Sequence, residues 1–227
     1  MNASIEQQID YLKEFITQKR FGRFLEVLNN RTRYITIVLE DVFQGHNAAA
    51  VLRSCDCFGI QDIHLIENRN EFKPNEEISL GASQWLSLYK YNKKDSNNTE
   101  ICYETLREKG YKIVATSPHS KSFEISELSL DKPIALVFGA EKEGLSDYAL
   151  KNADESVFIS MYGFTESFNI SVSAALCMYE LNKKLRTSSI NYHLSESEKQ
   201  EILLQWLKIS IKDSEKILEK YFSQIKN

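Results

Sequence analysis

What most constrains this chain is an alternation. Between residues 34 and 185, short β-branched or apolar runs take turns with longer stretches of helix-forming residues. Tyr34–Glu40 (YITIVLE) reads as a strand. AAAVLRSCDCF then follows Asn47, which is suited to cap a helix, and precedes Gly59, which is suited to end one. Asp62–Glu67 reads as the next strand, which completes a βαβ unit. Trp85–Tyr91 predicts a further strand, and Asn97–Lys109 a helix with Asn97 and Glu100 at capping-box spacing. Tyr111–Thr116 and Ile134–Phe138 are apolar runs bounded by turn residues, as buried parallel strands are. Ser146 predicts a cap for a short helix over 147–152, and Val157–Ser160 a strand. Residues 167–184 are helical and apolar nearly all round, so that helix should be buried on several sides. The pattern predicts an α/β fold with a mainly parallel sheet and flanking helices.

The flanks read differently. Residues 4–28 predict a helix with Ile5, Ile9, Leu12, Phe15 and Ile16 on one stripe. Residues 186–195 are polar and linker-like, and 195–225 predict an amphipathic helical tail carrying Ile202, Leu203, Trp206, Leu207 and Ile209. The expected organisation is an N-terminal helical extension (1–33), an α/β domain (34–185), then a linker and helical tail (186–227).

Composition narrows the function classes. A net charge of −4 excludes a uniformly basic nucleic-acid coat. Lys19, Arg20, Arg23, Arg31 and Arg33 nevertheless face only Glu26 in one stretch, which reads as a solvated helix face or as a site for an anionic partner. No apolar run approaches the ~20 residues of a membrane helix, and the polar start MNASIEQQID does not read as a signal peptide. Cys55, Cys57, Cys102 and Cys177 lack metal-ligand spacing and are expected as reduced, buried thiols. A cytoplasmic protein with no membrane and no metal partner is the expectation.

Three segments carry candidate chemistry. Asn47 and Arg53 share the helix after the first strand. Ala49 and Ala50 lie one turn before Arg53, leaving room for a phosphate or oxyanion on its guanidinium fork. Taken alone, Arg53 also reads as a surface residue paired with Asp56. VFGAEKEGLS (137–146) runs from a buried strand through Gly139, Glu141 and Gly144 to a helix cap. Ligands sit at such strand ends in parallel sheets, although an ordinary tight turn has the same features. ISMYGFTESFNISVSAA (159–175) places Ser167 and Asn169 where a helix begins, as ligand-facing groups or as plain caps.

Together the three segments resemble, in order and wording, the three motifs of the SpoU branch of the SPOUT RNA methyltransferases. QGHNAAAVLRSCDCFGI is similar to the first motif, LVFGAEKEGLS to the second and FISMYGFTESFNISVSAALCMYE to the third; GASQWL at 81–86 resembles the segment between the first two. The likeness covers about 34–185. It implies a C-terminal trefoil knot, a homodimer and S-adenosylmethionine as cofactor. By matching position, it implies Arg53 as the catalytic arginine, with Asn47, Glu141, Ser167 and Asn169 in support. Thr116, Gly139, Ile159, Met161 and Phe168 fall where the family meets the cofactor. Ser160, Phe164 and Phe168 depart from the usual Pro, Met and Leu.

Within the branch, the short N-terminal helix and the helical tail are closest to members that methylate the 2′-oxygen of the D-loop guanosine of tRNA at position 18. Lys19, Arg20, Arg23 and Arg31, with Lys183, Lys184 and Arg186, are the expected RNA-binding residues. Ribosomal RNA is the alternative substrate, and a non-catalytic RNA-binding protein on the same fold the alternative class. The apolar character of the Asn47 and Asn169 helices predicts that they pack across a two-fold dimer interface.

Overall fold

The computed structural model of the chain describes residues 4–42, 44–71, 81–117 and 123–225. The chain forms two compact units, Thr32–Tyr192 and a second combining Met1–Arg31 with His193–Asn227. The two terminal stretches thus belong to one body.

The larger unit carries the alternation. Its strands are β1 (Ile35–Glu40), β2 (Asp62–Ile66), β3 (Ser87–Tyr91), β4 (Lys112–Thr116), β5 (Phe123–Glu124), β6 (Ile134–Phe138) and β7 (Glu155–Phe158). They form one sheet in the order β3-β2-β1-β6-β4-β7-β5. Every pairing within it is parallel, with Ile37 opposite both Ile63 and Leu136. The sequence pattern did not foresee β5, which is only two residues long.

Helices cover both faces, which is why every residue of β1, β2 and β6 is buried. On one face Ile35, Ile37 and Leu39 pack with Val51, Leu52 and Cys55 of α3 (Gly45–Phe58) and with Ala174, Met178 and Leu181 of α6 (Ile170–Arg186). On the other, Val38, Ala115 and Val137 pack with Cys102, Tyr103 and Leu106 of α4 (Asn98–Glu108) and Ala149 of α5 (Asp147–Lys151). The alternating sides of β1 therefore feed two cores.

Several local expectations change. Helix α3 starts at Gly45 behind Gln44, so Asn47 lies inside the first turn rather than at the cap. Gly59 ends that helix at φ +75°. Asn169 caps α6, its side chain accepting from Ser171 N–H, which leaves Ser167 outside the helix. Helices α3 and α6 also pack against each other within one chain. Cys55, Cys102 and Cys177 are buried, but Cys57 is exposed.

In the smaller unit the N-terminal helix is broken. α1 (Ile5–Leu12) runs into a 3₁₀ turn, and Thr17 caps α2 (Gln18–Leu28) by accepting from Arg20 N–H. The tail divides too, into α7 (Glu196–Ser210) and α8 (Ser214–Ile225), with Asp213 at φ +57° between them. Trp206 of α7 is buried edge-on against Phe24, ring centroids 5.7 Å apart. Among the described residues no helix is long and apolar enough to cross a membrane.

Candidate active site

Parallel strands place their carboxyl ends on one edge of the sheet, and the connections leaving them meet there. The connections after β1, β4, β6 and β7, with the start of α6, enclose a cleft of about 600 Å³. Asn47, Glu141, Ser167 and Asn169 all line it. So do Thr116, Gly139, Ile159, Met161 and Phe168. Apolar wall is supplied by Phe138, Leu145, Leu150, Val157 and Ile170.

A chain of amides crosses one side of the cleft. Asn47 Nδ2 donates to Glu141 Oε1 at 2.9 Å and to Gln44 Oε1 at 2.9 Å. Asn169 Nδ2 donates to Asn47 Oδ1 at 3.0 Å. Asn169 Oδ1 in turn accepts from Ser171 N at 2.9 Å and Ser171 Oγ at 2.6 Å. The carboxylate at one end and the α6 N-terminus at the other set the direction in which both amides point. Asn47 is 4% exposed, so its amide depends on these partners. The three segments singled out in the sequence are thereby tied side chain to side chain.

The loop after β6 is shaped by one close approach. Ala140 and Gly144 exchange backbone hydrogen bonds of 3.1 and 2.9 Å, and Gly144 sits at φ +70°. A Cβ on Gly139 would lie 2.2 Å from the Gly144 carbonyl carbon, so only glycine fits there. At the end of β4, Thr116 Oγ1 donates to the Val137 carbonyl at 2.8 Å. Cys177 forms part of the wall, and burial pushes its thiol up to about 12, so it stands as a neutral apolar group.

Arg53 is not among the residues that line this cleft. It is exposed on α3. The basic residues also separate. Arg31 is 1% exposed, its guanidinium 5.4 Å from the Trp206 ring centroid, so it is a core group and not an RNA-facing one. Lys184 Nζ donates to the carbonyls of Ser126 and Leu128 at 3.1 and 2.7 Å, which holds it to the protein surface. Arg186 bonds Asn182 Oδ1 and the Phe58 carbonyl and lies over the Tyr192 ring. Lys19, Arg20, Arg23 and Lys183 are exposed. Arg20 bonds Ser210 and Arg23 pairs with Glu26.

Sequence reasoning missed two residues. Gln44 holds Asn47, and nothing in its spacing marks it. Glu40 is buried at the end of β1, and a charged residue closing an otherwise uncharged strand was the available signal.

A parallel α/β fold with a ligand-sized cleft at its strand ends is the class that these features define. Residues 34–179 match the SpoU rRNA Methylase family, and the chain belongs to that family. It is 42% identical over 213 residues to the tRNA (guanosine(18)-2′-O)-methyltransferase of Borreliella burgdorferi, covering 94% of this chain and 95% of that one. It is 31% identical to the enzyme of that name from Thermus thermophilus, over 85% of this chain and 97% of the relative. The crystal structure of the A. aeolicus TrmH/SpoU tRNA modifying enzyme superposes with a TM-score of 0.76 at 29% identity, covering 86% of this chain and 98% of that one.

Proposed function

We propose that this chain is a ribose 2′-O-methyltransferase that acts on the D-loop guanosine of tRNA at position 18 and takes its methyl group from S-adenosylmethionine. The observation that carries the proposal is the cleft itself, where Asn47, Glu141, Ser167 and Asn169 meet Gly139 and the apolar strand ends. Its relatives' names supply the substrate.

The cleft suits such a cofactor in size and chemistry. It falls in the range of small-molecule sites, with apolar walls and a few fixed polar groups. Gly139 brings backbone close to whatever occupies it, and Phe138, Val157, Ile159 and Ile170 exclude water. When bound, S-adenosylmethionine supplies a methyl group already activated by its sulfonium. The protein's task is then mainly alignment. The Glu141–Asn47–Asn169 chain holds the polar side rigid, so no reorganisation is needed as charge develops.

Arg53 enters from a second copy of the chain in this proposal. Val172, Leu176 and Tyr179 form an exposed apolar stripe along α6, Tyr162 and Phe164 in the segment before that helix are exposed too, and such a surface suits a homodimer. Arg53 of one protomer then reaches the ribose at the other's cleft, where its guanidinium, which stays charged, stabilises the negative charge that develops on the 2′-oxygen while the hydroxyl proton is released to water. The Thr32–Tyr192 unit is the catalytic body. Lys19, Arg20 and Arg23 of the smaller unit hold RNA phosphate in the cytoplasm.

The test is to incubate the protein with bulk tRNA and methyl-labelled S-adenosylmethionine and to map the modified ribose. Label at the 2′-oxygen of guanosine 18, lost in Asn47→Ala, is the expected result. Label confined to ribosomal RNA, or none in any RNA, overturns the proposal.

A further inference from the structure

The loop that carries Glu141 is fastened at both ends by the last two residues of β1. At its start, Phe138 pairs with Leu39 in the sheet. At its end lies Ser146, held by Glu40. Glu40 Oε2 accepts from Ser146 N–H at 2.8 Å, and Oε1 accepts from Ser146 Oγ–H at 2.8 Å. Thr99 Oγ1, at the first turn of α4, donates to Oε1 at 2.5 Å. Each hydroxyl is also held on its acceptor side: Ser146 Oγ accepts from Ala149 N–H, and Thr99 Oγ1 accepts from Asn68 Nδ2.

Glu40 is 1% exposed, and among the described residues no cation pairs with it. A buried carboxylate without a cation depends entirely on such donors. It lines no part of the cleft, yet every residue from Gly139 to Leu145 does. The loop has a second, weaker tether. Arg69 Nη1 lies 3.4 Å from Glu143 Oε2, while its Nε reaches buried Asp41 at 3.3 Å; both Arg69 and Glu143 are more than half exposed. Exposed pairs of this kind contribute little.

We propose that Glu40 is a positioning residue for the donor cleft: by gripping Ser146 it sets where Glu141 and the Gly139–Leu145 backbone stand, and hence how tightly the methyl donor binds. This rests on the cleft being the S-adenosylmethionine site. Glutamine at position 40 keeps the shape but turns an N–H toward one of three donors, so the end of the loop is released.

The experiment measures S-adenosylmethionine affinity by calorimetry, kcat at saturating donor, and amide exchange over residues 139–146. Glu40→Gln is expected to weaken donor binding about tenfold, to change kcat at saturation far less, and to speed exchange in that loop but not in the β1–β2 ladder. Ser146→Thr, which keeps both donors, is expected to hold parent affinity. Arg69→Ala is expected to stay within about twofold. Should Glu40→Gln fail to fold, Ser146→Ala carries the same readout. Parent-like affinity in Glu40→Gln, or in Ser146→Ala where that variant stands in, overturns the proposal while leaving the cleft assignment intact. A parent protein that binds no S-adenosylmethionine overturns both.

Discussion

Asn47 and Glu141 lie 94 positions apart in the chain and 2.9 Å apart in space, as donor and acceptor of one hydrogen bond. Helix α3 brings one and the loop after β6 brings the other, because β1 and β6 are adjacent in the sheet. The bond is thus a direct consequence of strand order.

The close approach of Gly139 to Gly144 makes a side chain at 139 untenable. Gly139→Ala is expected to cost ~1–3 kcal/mol through backbone displacement and to abolish donor binding in calorimetry. Gly22 is the contrast. It sits inside α2, and a methyl group added there would meet nothing within 4 Å. Gly22→Ala should raise stability by about 0.5–1 kcal/mol, read as a higher Tm with donor affinity unchanged.

Arg53 stands outside its own cleft, so its loss should spare donor binding and remove methyl transfer. Mixing Arg53→Ala with Asn47→Ala chains separates service in trans from service in cis. In a mixed dimer one cleft keeps an intact Asn47 and receives Arg53 from its neighbour. Random exchange should recover roughly a quarter of the parent rate. No recovery in a refolded mixture would show that Arg53 does not act on a partner's cleft.

Burial separates Arg31 from the exposed basic residues of α2. Arg31→Ala should destabilise the fold by ~1–3 kcal/mol, since the guanidinium packs on Trp206, with the salt dependence of tRNA binding unchanged. Lys19→Ala and Arg23→Ala should leave Tm near the parent value and each reduce the slope of log affinity against log salt by about one. A parent-like slope in both would remove α2 from the RNA footprint.

His64 supplies an acid-side liability. It lies in β2 with Nδ1 2.8 Å from Tyr91 Oη and its ring stacked on Tyr89, centroids 4.9 Å apart. Burial, aided by the positive charge of Lys109, lowers its pKa from 6.5 to about 3. The sign follows: the unfolded chain takes up this proton near pH 6.5, and the native state resists it until about pH 3. The contribution is therefore intact above pH 6.5 and declines as pH falls through that window, by roughly 1 kcal/mol per pH unit. Urea unfolding from pH 7 to 4 should show a steeper loss in the parent than in His64→Phe. Parallel curves would refute it.

Periodicity made most of the sheet readable. Runs such as Ile134–Phe138 are apolar on both sides because helices cover both faces, and that composition survives in the sequence. Helix ends were less legible. Asn47 has a capping residue's chemistry, but Glu141 and Gln44 compete for its amide and hold it inside the helix instead. The break at Thr17 and the left-handed Asp213 were hidden because apolar residues continue on either side of each. Two-residue β5 leaves no period to detect.

The sequence by itself determined the parallel α/β fold, the order of its elements and the chemical character of the three loop segments, since each is encoded by residues close together in the chain. Only the tertiary structure decided that Glu40 grips Ser146, that Arg31 belongs to a core, and that Arg53 lies outside the cleft its sequence neighbours line. The reason is physical: local sequence sets backbone preference and hydrophobic period, whereas burial and hydrogen-bond partnership depend on which distant strand ends the sheet brings side by side.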